Sequence, residues 1–141
     1  MNSRIILDTN AYSELFRGDQ EVLDVLASAK EVLLPVTVMG ELLAGFKMGT
    51  RERKNRQELK RFLSKPTVTV HPVTEEVADV YADIVSNLRA SGRKIPTNDI
   101  WIAAHAMASG AVLITYDAHF KAVAGLRRWD LLSNIAISQY S

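Results

Sequence analysis

Short apolar runs alternate with segments of helical period along the whole chain. Arg4–Asp8 is an apolar run that ends on an acid, and Val32–Pro35 is a second run; both read as strands buried on two faces. Asn10 to Lys30 between them reads as one or two helices broken at Gly18-Asp19. Thr37 is the expected cap of a helix carrying Leu42, Leu43 and Phe46, ended by Gly49. Thr50 is expected to begin a strongly basic helix whose apolar side is thin, with Leu59, Phe62 and Leu63. Thr67–His71 alternates as a strand. From Thr74 the apolar positions Val77, Val80, Tyr81, Ile84, Val85 and Leu88 fall on one helical face, and Gly92 closes that helix.

After Pro96, Thr97 is expected to cap a helix that is apolar nearly all round, from Ile100 to Ala108, with Gly110 at its end. A helix of that kind belongs in the interior. Val112–Thr115 reads as the next strand, followed by a short helix from Asp117 and a last strand near Asn134–Ser138. Strands alternating with helices imply an α/β fold in which helices cover both faces of a parallel sheet.

Composition narrows the class without changing the fold. The 141 residues fit one domain, 1–141, with 48% hydrophobic and 23% charged residues. Cysteine is absent, which excludes a disulfide framework, an iron–sulfur cluster and a thiolate zinc site. Ile5-Ile6-Leu7 is too short to be the core of a signal peptide, and no run is long enough to span a bilayer, so a soluble cytoplasmic protein is expected. Net charge is only +1, but residues 47–65 hold eight Lys/Arg against two acids, a local charge of +6 that leaves −5 for the rest. A basic arm on an acidic body attracts polyanions locally; the same run also reads as a solvated helix face.

The candidate chemistry lies in four acids placed where strands leave the sheet or helices enter it. Asp8 ends the first strand, Asp117 lies two residues past Val112–Thr115, Asp99 is in the first turn of the buried helix, and Glu41 follows the second strand. Taken singly, an acid at such a place has a structural use as a cap or helix-dipole partner. Glu41 among Val38, Met39, Leu42 and Leu43, and Asp8 after three apolar residues, are harder to place without a counter-charge. No Lys or Arg is obviously positioned to serve. Clustered acids raise each other's pKa, and a hard divalent cation, Mg²⁺ or Mn²⁺, relieves the repulsion.

The segments around these acids are Ile6-Leu7-Asp8-Thr9-Asn10, Met39-Gly40-Glu41-Leu42-Leu43-Ala44-Gly45, Pro96-Thr97-Asn98-Asp99-Ile100-Trp101 and Leu113-Ile114-Thr115-Tyr116-Asp117-Ala118-His119-Phe120. In their order they resemble the four motifs of PIN-domain ribonucleases, and the compact form resembles the VapC toxins of toxin–antitoxin pairs. The resemblance implies a three-layer α/β/α fold with about five parallel strands in the order 3-2-1-4-5. It also implies Mg²⁺-dependent cleavage of RNA, often by a homodimer, and inhibition by a small antitoxin protein. Carried over by motif, Asp8, Glu41, Asp99 and Asp117 form the catalytic metal site, with Thr9, Asn10, Asn98 and Thr115 as polar supports. One or two ions would activate a water for in-line attack, with Glu41 as a ligand or as the group that orients and deprotonates the water. Lys47, Arg51 and Lys54, or Arg89, Arg93 and Lys94 before Pro96, are competing phosphate contacts; the basic stretch is also a candidate antitoxin surface.

Three histidines are weighed separately. His105 reads as a core residue, His71 ends a strand before Pro72, and His119 beside Asp117 is explained by capping or packing; none is assigned a catalytic role. A phosphoacceptor signalling domain needs two adjacent early acids and a Lys after a late strand, and neither pattern is present. A non-catalytic binding module has no need of all four acids. The remaining alternative is a relative that acts on or binds DNA together with its antitoxin.

Overall fold

The computed structural model describes residues 4–130. Five strands form one parallel sheet: β1 (Arg4–Leu7), β2 (Glu31–Pro35), β3 (Val68–His71), β4 (Val112–Thr115) and β5 (Arg128–Asp130), in the order β3-β2-β1-β4-β5. The connections carry six helices: α1 (Thr9–Phe16), α2 (Gln20–Ser28), α3 (Val36–Met48), α4 (Glu52–Leu63), α5 (Glu75–Ala90) and α6 (Thr97–Ser109). A 3₁₀ segment, Ala118–Ala122, follows β4. Both the α/β/α class and the 3-2-1-4-5 order expected from sequence are observed. The fifth strand is Arg128–Asp130; the expected last strand, Asn134–Ser138, lies outside the described residues.

The sheet is built as the apolar runs dictate. Ile5, Ile6, Leu7, Val32, Leu33, Leu34, Val112, Leu113 and Ile114 are all buried, because the strands of a parallel sheet lie between two helical layers. The apolar face of α5 packs on α6, where Tyr81 stacks on Trp101 with ring centroids 3.9 Å apart. On α1 and α4, Tyr12, Phe16 and Phe62 form a second aromatic cluster, with Tyr12 4.8 Å from Phe16 and 5.4 Å from Phe62. Leu59 and Phe62 of α4 are buried while its Lys and Arg residues stay exposed, so the thin apolar side suffices to dock the basic helix.

Three expected helix starts are corrected. The N-caps of α3 and α6 are Pro35 and Pro96, and neither makes a side-chain cap bond. Their φ values of −59° and −57°, with ψ near 140°, supply the extended backbone that an N-cap needs, so Thr37 and Thr97 move into the first turn. Helix α4 starts after Arg51, two residues beyond Thr50. Thr74 does cap α5, accepting a bond from the Val77 N–H. Gly110 takes the left-handed conformation (φ +69°) that ends α6 and turns the chain directly into β4.

His105 is fully buried on α6, as expected of a core residue, but it has a specific partner. Its Nδ1 lies 2.8 Å from Nδ1 of His71 at the end of β3, and its Nε2 has no partner among the described residues. A neutral ring that donates from Nδ1 leaves Nε2 as a bare acceptor, whereas a protonated ring would bury an unpaired N–H. Burial, and then the neighbouring His71, push the His105 pKa down to about 4. The unfolded residue titrates at 6.5, so its contribution to stability is complete above that pH and is lost as pH falls toward 4. Replacing His105 by Leu is expected to flatten the acid limb of stability, by up to about 3 kcal/mol between these pH values. Urea unfolding across the range checks this, and parallel limbs in the two proteins would contradict it.

Candidate metal centre

The chain turns to one side of β1 to make β2 and β3 and returns on the other side to make β4 and β5. This strand-order reversal opens a crevice beyond the carboxyl ends of β1 and β4, the usual ligand position in a doubly wound sheet. Asp8 stands one residue beyond β1 and Asp117 two residues beyond β4. Residue type and topology therefore bring these two acids to the same crevice by construction.

Asp8 is the most constrained group there. Only 3% of it is exposed. Its Oδ1 caps α1 by accepting from the Ala11 N–H at 2.8 Å, and its Oδ2 accepts from the Thr115 hydroxyl. Thr115 in turn accepts from the Asp117 N–H at 2.8 Å, so one buried hydroxyl sets both acids. Burial raises the Asp8 pKa to about 6; the bonds from Thr115 and Ala11 oppose the rise, and the charges of Asp117 and Asp99 add to it.

Asp99 enters from the first turn of α6 and Asp117 caps the 3₁₀ segment. Between them sits the imidazole of His119, with Nδ1 3.1 Å from Asp99 Oδ2 and 3.0 Å from Asp117 Oδ1. The His119 N–H also donates to Asp117 Oδ1 at 2.8 Å. Burial raises the Asp99 pKa, against the bond from His119. The His119 pKa is raised, first by its bond to Asp99 and then by the Asp117 charge. Glu41 lies in the second turn of α3 and accepts from the Thr9 hydroxyl at 3.1 Å, which ties it to the residue after Asp8.

The candidates thus divide by position. Asp8, Asp99 and Asp117 share one electrostatic field, Thr115 and Thr9 act as polar supports, and Glu41 is held beside them through Thr9. Asn10 and Asn98 are exposed, and their side chains make no hydrogen bond among the described residues. Arg51 and Lys54 line a cleft with Tyr12, Ser13, Arg17 and Glu58; Ser13 is one turn beyond Thr9 on α1, and none of the four acids lines the cleft. Lys47 is paired with Glu52 at 3.3 Å. Arg93 lines a separate cleft with Asp83, Met107 and Val123, and Lys94 is exposed.

Two features go beyond the sequence expectation. His119, expected to serve capping or packing, is folded back against Asp117 by the 3₁₀ turn, and its place two residues after that acid is the signal. Tyr116, between Thr115 and Asp117, donates its hydroxyl to Asp19, the N-cap of α2, and so braces the β4 loop against the α1–α2 turn. Those partners are 97 positions apart, too distant for spacing to reveal.

A divalent cation fits this donor set. Asp99, Asp117 and His119 each offer a ligand atom, all within 4.8 Å of one another. Asp99 and Asp117 share one imidazole, that of His119, while Asp8 and Asp99 both carry raised pKa values. Such a cluster is left with charge that a hard cation neutralises.

The model of the PIN domain matches residues 5–126. The chain belongs to the PIN-domain family. Among relatives, it is 30% identical to Ribonuclease VapC5 of Mycobacterium tuberculosis, over 90% of this chain and 93% of the relative. It is 34% identical to the plasmid stability protein StbB of Pseudomonas syringae pv. tomato, over 86% of this chain and 94% of the relative. Its fold superposes on VapBC2 from Rickettsia felis, solved bound to a DNA fragment from its promoter, with a TM-score of 0.79 and 25% identity, covering 90% of this chain and 99% of the other.

The buried charge on Asp8 has a measurable cost. An unfolded aspartate titrates near 3.8 and the folded one near 6, so the penalty is absent below pH 4 and complete above pH 6. In metal-free protein at pH 8, Asp8→Asn is expected to raise stability by about 1–3 kcal/mol, a gain that vanishes by pH 4. Chemical denaturation at the two pH values reads it, and destabilisation at pH 8 would overturn the assignment of Asp8 as a strained anion.

Proposed function

We propose that this chain is a Mg²⁺-dependent endoribonuclease and the toxin of a toxin–antitoxin pair. The observation that carries the chemistry is the buried Asp8 carboxylate, its pKa raised to about 6, in one field with Asp99 and Asp117. Asp8, Asp99 and Asp117 would hold the cation, with Mn²⁺ as a substitute, and its chemistry is to acidify a bound water and to neutralise the scissile phosphate. Thr115 orients Asp8 and Asp117 through one hydroxyl. Glu41, held by Thr9, lies at the site margin, where it either joins the ligands or takes the proton of the attacking water.

Arg51 and Lys54 line a cleft along α1, one helical turn from the Thr9 that holds Glu41, and they suit phosphates flanking the scissile bond. Lys47 is engaged by Glu52, and Arg93 and Lys94 lie on the other candidate path. Nothing in the acids requires a 2′-hydroxyl; the preference for RNA is supported by relatives named as ribonucleases. An antitoxin partner is supported by the VapBC complexes whose toxin fold this chain shares, and a homodimer in the cytoplasm is the assembly we infer. No described helix is long and apolar enough to cross a membrane. The R. felis complex holds promoter DNA, which makes DNA binding together with an antitoxin the second reading.

Incubating the purified chain with labelled RNA and DNA, in Mg²⁺ or EDTA, separates these readings. Cleavage of RNA alone, abolished by EDTA, is expected. Asp8→Asn and Asp99→Asn are each expected to lose at least about 100-fold in rate with the fold retained. Cleavage that persists in EDTA, or full rates in both variants, would reject the metal mechanism.

A further inference from the structure

We infer that His119 is itself a ligand of the bound cation, through Nδ1, and that the resulting oxygen–nitrogen site favours Mn²⁺ over Mg²⁺. This rests on the metal-nuclease reading above and extends it to a residue outside the four acids. The geometry points to it. Nδ1 lies 3.1 Å from Asp99 Oδ2 and 3.0 Å from Asp117 Oδ1. In an octahedral ion with bonds of about 2.1 Å, donors at right angles are about 3.0 Å apart. The two nitrogen–oxygen distances therefore match two edges of such an octahedron, and all three donor atoms lie within 4.8 Å of one another.

The ring is held where it would be needed. The His119 N–H is fixed to Asp117 Oδ1, and the next residue, Phe120, is fully buried, which anchors the 3₁₀ segment on the core. An imidazole serving only as a positive counter-charge needs no such placement, because it could neutralise either acid from many rotamers. Here a single nitrogen faces both carboxylates. Without the ion, Nδ1–H donates to them; with it, the lone pair of the neutral ring occupies the same position. Imidazole nitrogen suits a transition ion better than Mg²⁺, which prefers oxygen and gives up its waters reluctantly.

The test is binding to the purified full-length chain, independent of cleavage. Pulsed electron paramagnetic resonance of the Mn²⁺-loaded protein reads ¹⁴N coupling from an imidazole bound to the ion. Coupling is expected in the wild type and should be lost in His119→Gln. Titration calorimetry is expected to show the variant losing about tenfold or more in Mn²⁺ affinity but less than about threefold in Mg²⁺ affinity. Mn²⁺ bound without ¹⁴N coupling, or an unchanged ratio of the two affinities, would overturn the role of His119 while leaving the carboxylate site standing. Failure of the wild type to bind either ion, or Asp99→Asn binding both as well as wild type, would remove the metal reading and His119 with it. The wild-type spectrum alone decides the ligand even if the variant misfolds.

Discussion

The hydrogen bond from Thr115 to Asp8 is the interaction on which the site depends. It joins the end of β4 to the end of β1, the two neighbouring strands at which the chain reverses its order across the sheet. Thr115 is fully buried and has one hydroxyl, which donates to Asp8 and accepts from the Asp117 N–H. Asp8 uses its other oxygen to start α1. A helix cap, a strand pairing and the placement of two acids are therefore one connected unit. Moving any part would disturb the rest, and the packed strands beneath leave little room to move.

The same unit explains why the protein tolerates an unfavourable group in its interior. An ionised Asp8 with two acids near it costs stability, and the two hydrogen bonds recover only part of that cost. The sheet supplies the remainder: the β1, β2 and β4 runs are buried almost completely, and α5 and α6 close over them through the Tyr81–Trp101 stack. Local strain of this kind is expected where a fold preorganises charge for a ligand. His119 relieves part of it on the open side by donating between Asp99 and Asp117, and Tyr116 holds the loop from behind through Asp19.

Much of this was legible in the sequence because it follows from period and order. Ile5-Ile6-Leu7 before Asp8 and Val112–Thr115 before Asp117 mark both strand ends, and the all-round apolar α6 announces its own burial. Two helix starts differ from the sequence expectation because Pro35 and Pro96 set the N-cap backbone, which places Thr37 and Thr97 in the first turn. Contacts between distant positions left no local signal. The His71–His105 pair spans 34 positions, and Trp129 on β5 reaches Glu21 across 108. His119 was near enough to be seen, but its direction depends on a 3₁₀ turn that spacing does not distinguish from the start of an α-helix.

On the metal-nuclease reading, a divalent cation relieves the strain on Asp8. Thermal unfolding at pH 8, where Asp8 is ionised, measures this directly when run in EDTA and in millimolar Mg²⁺ or Mn²⁺. The wild type is expected to gain about 5 °C or more from the cation, and Asp8→Asn to gain little. Identical melting of the wild type with and without the ion would mean that no cation relieves Asp8.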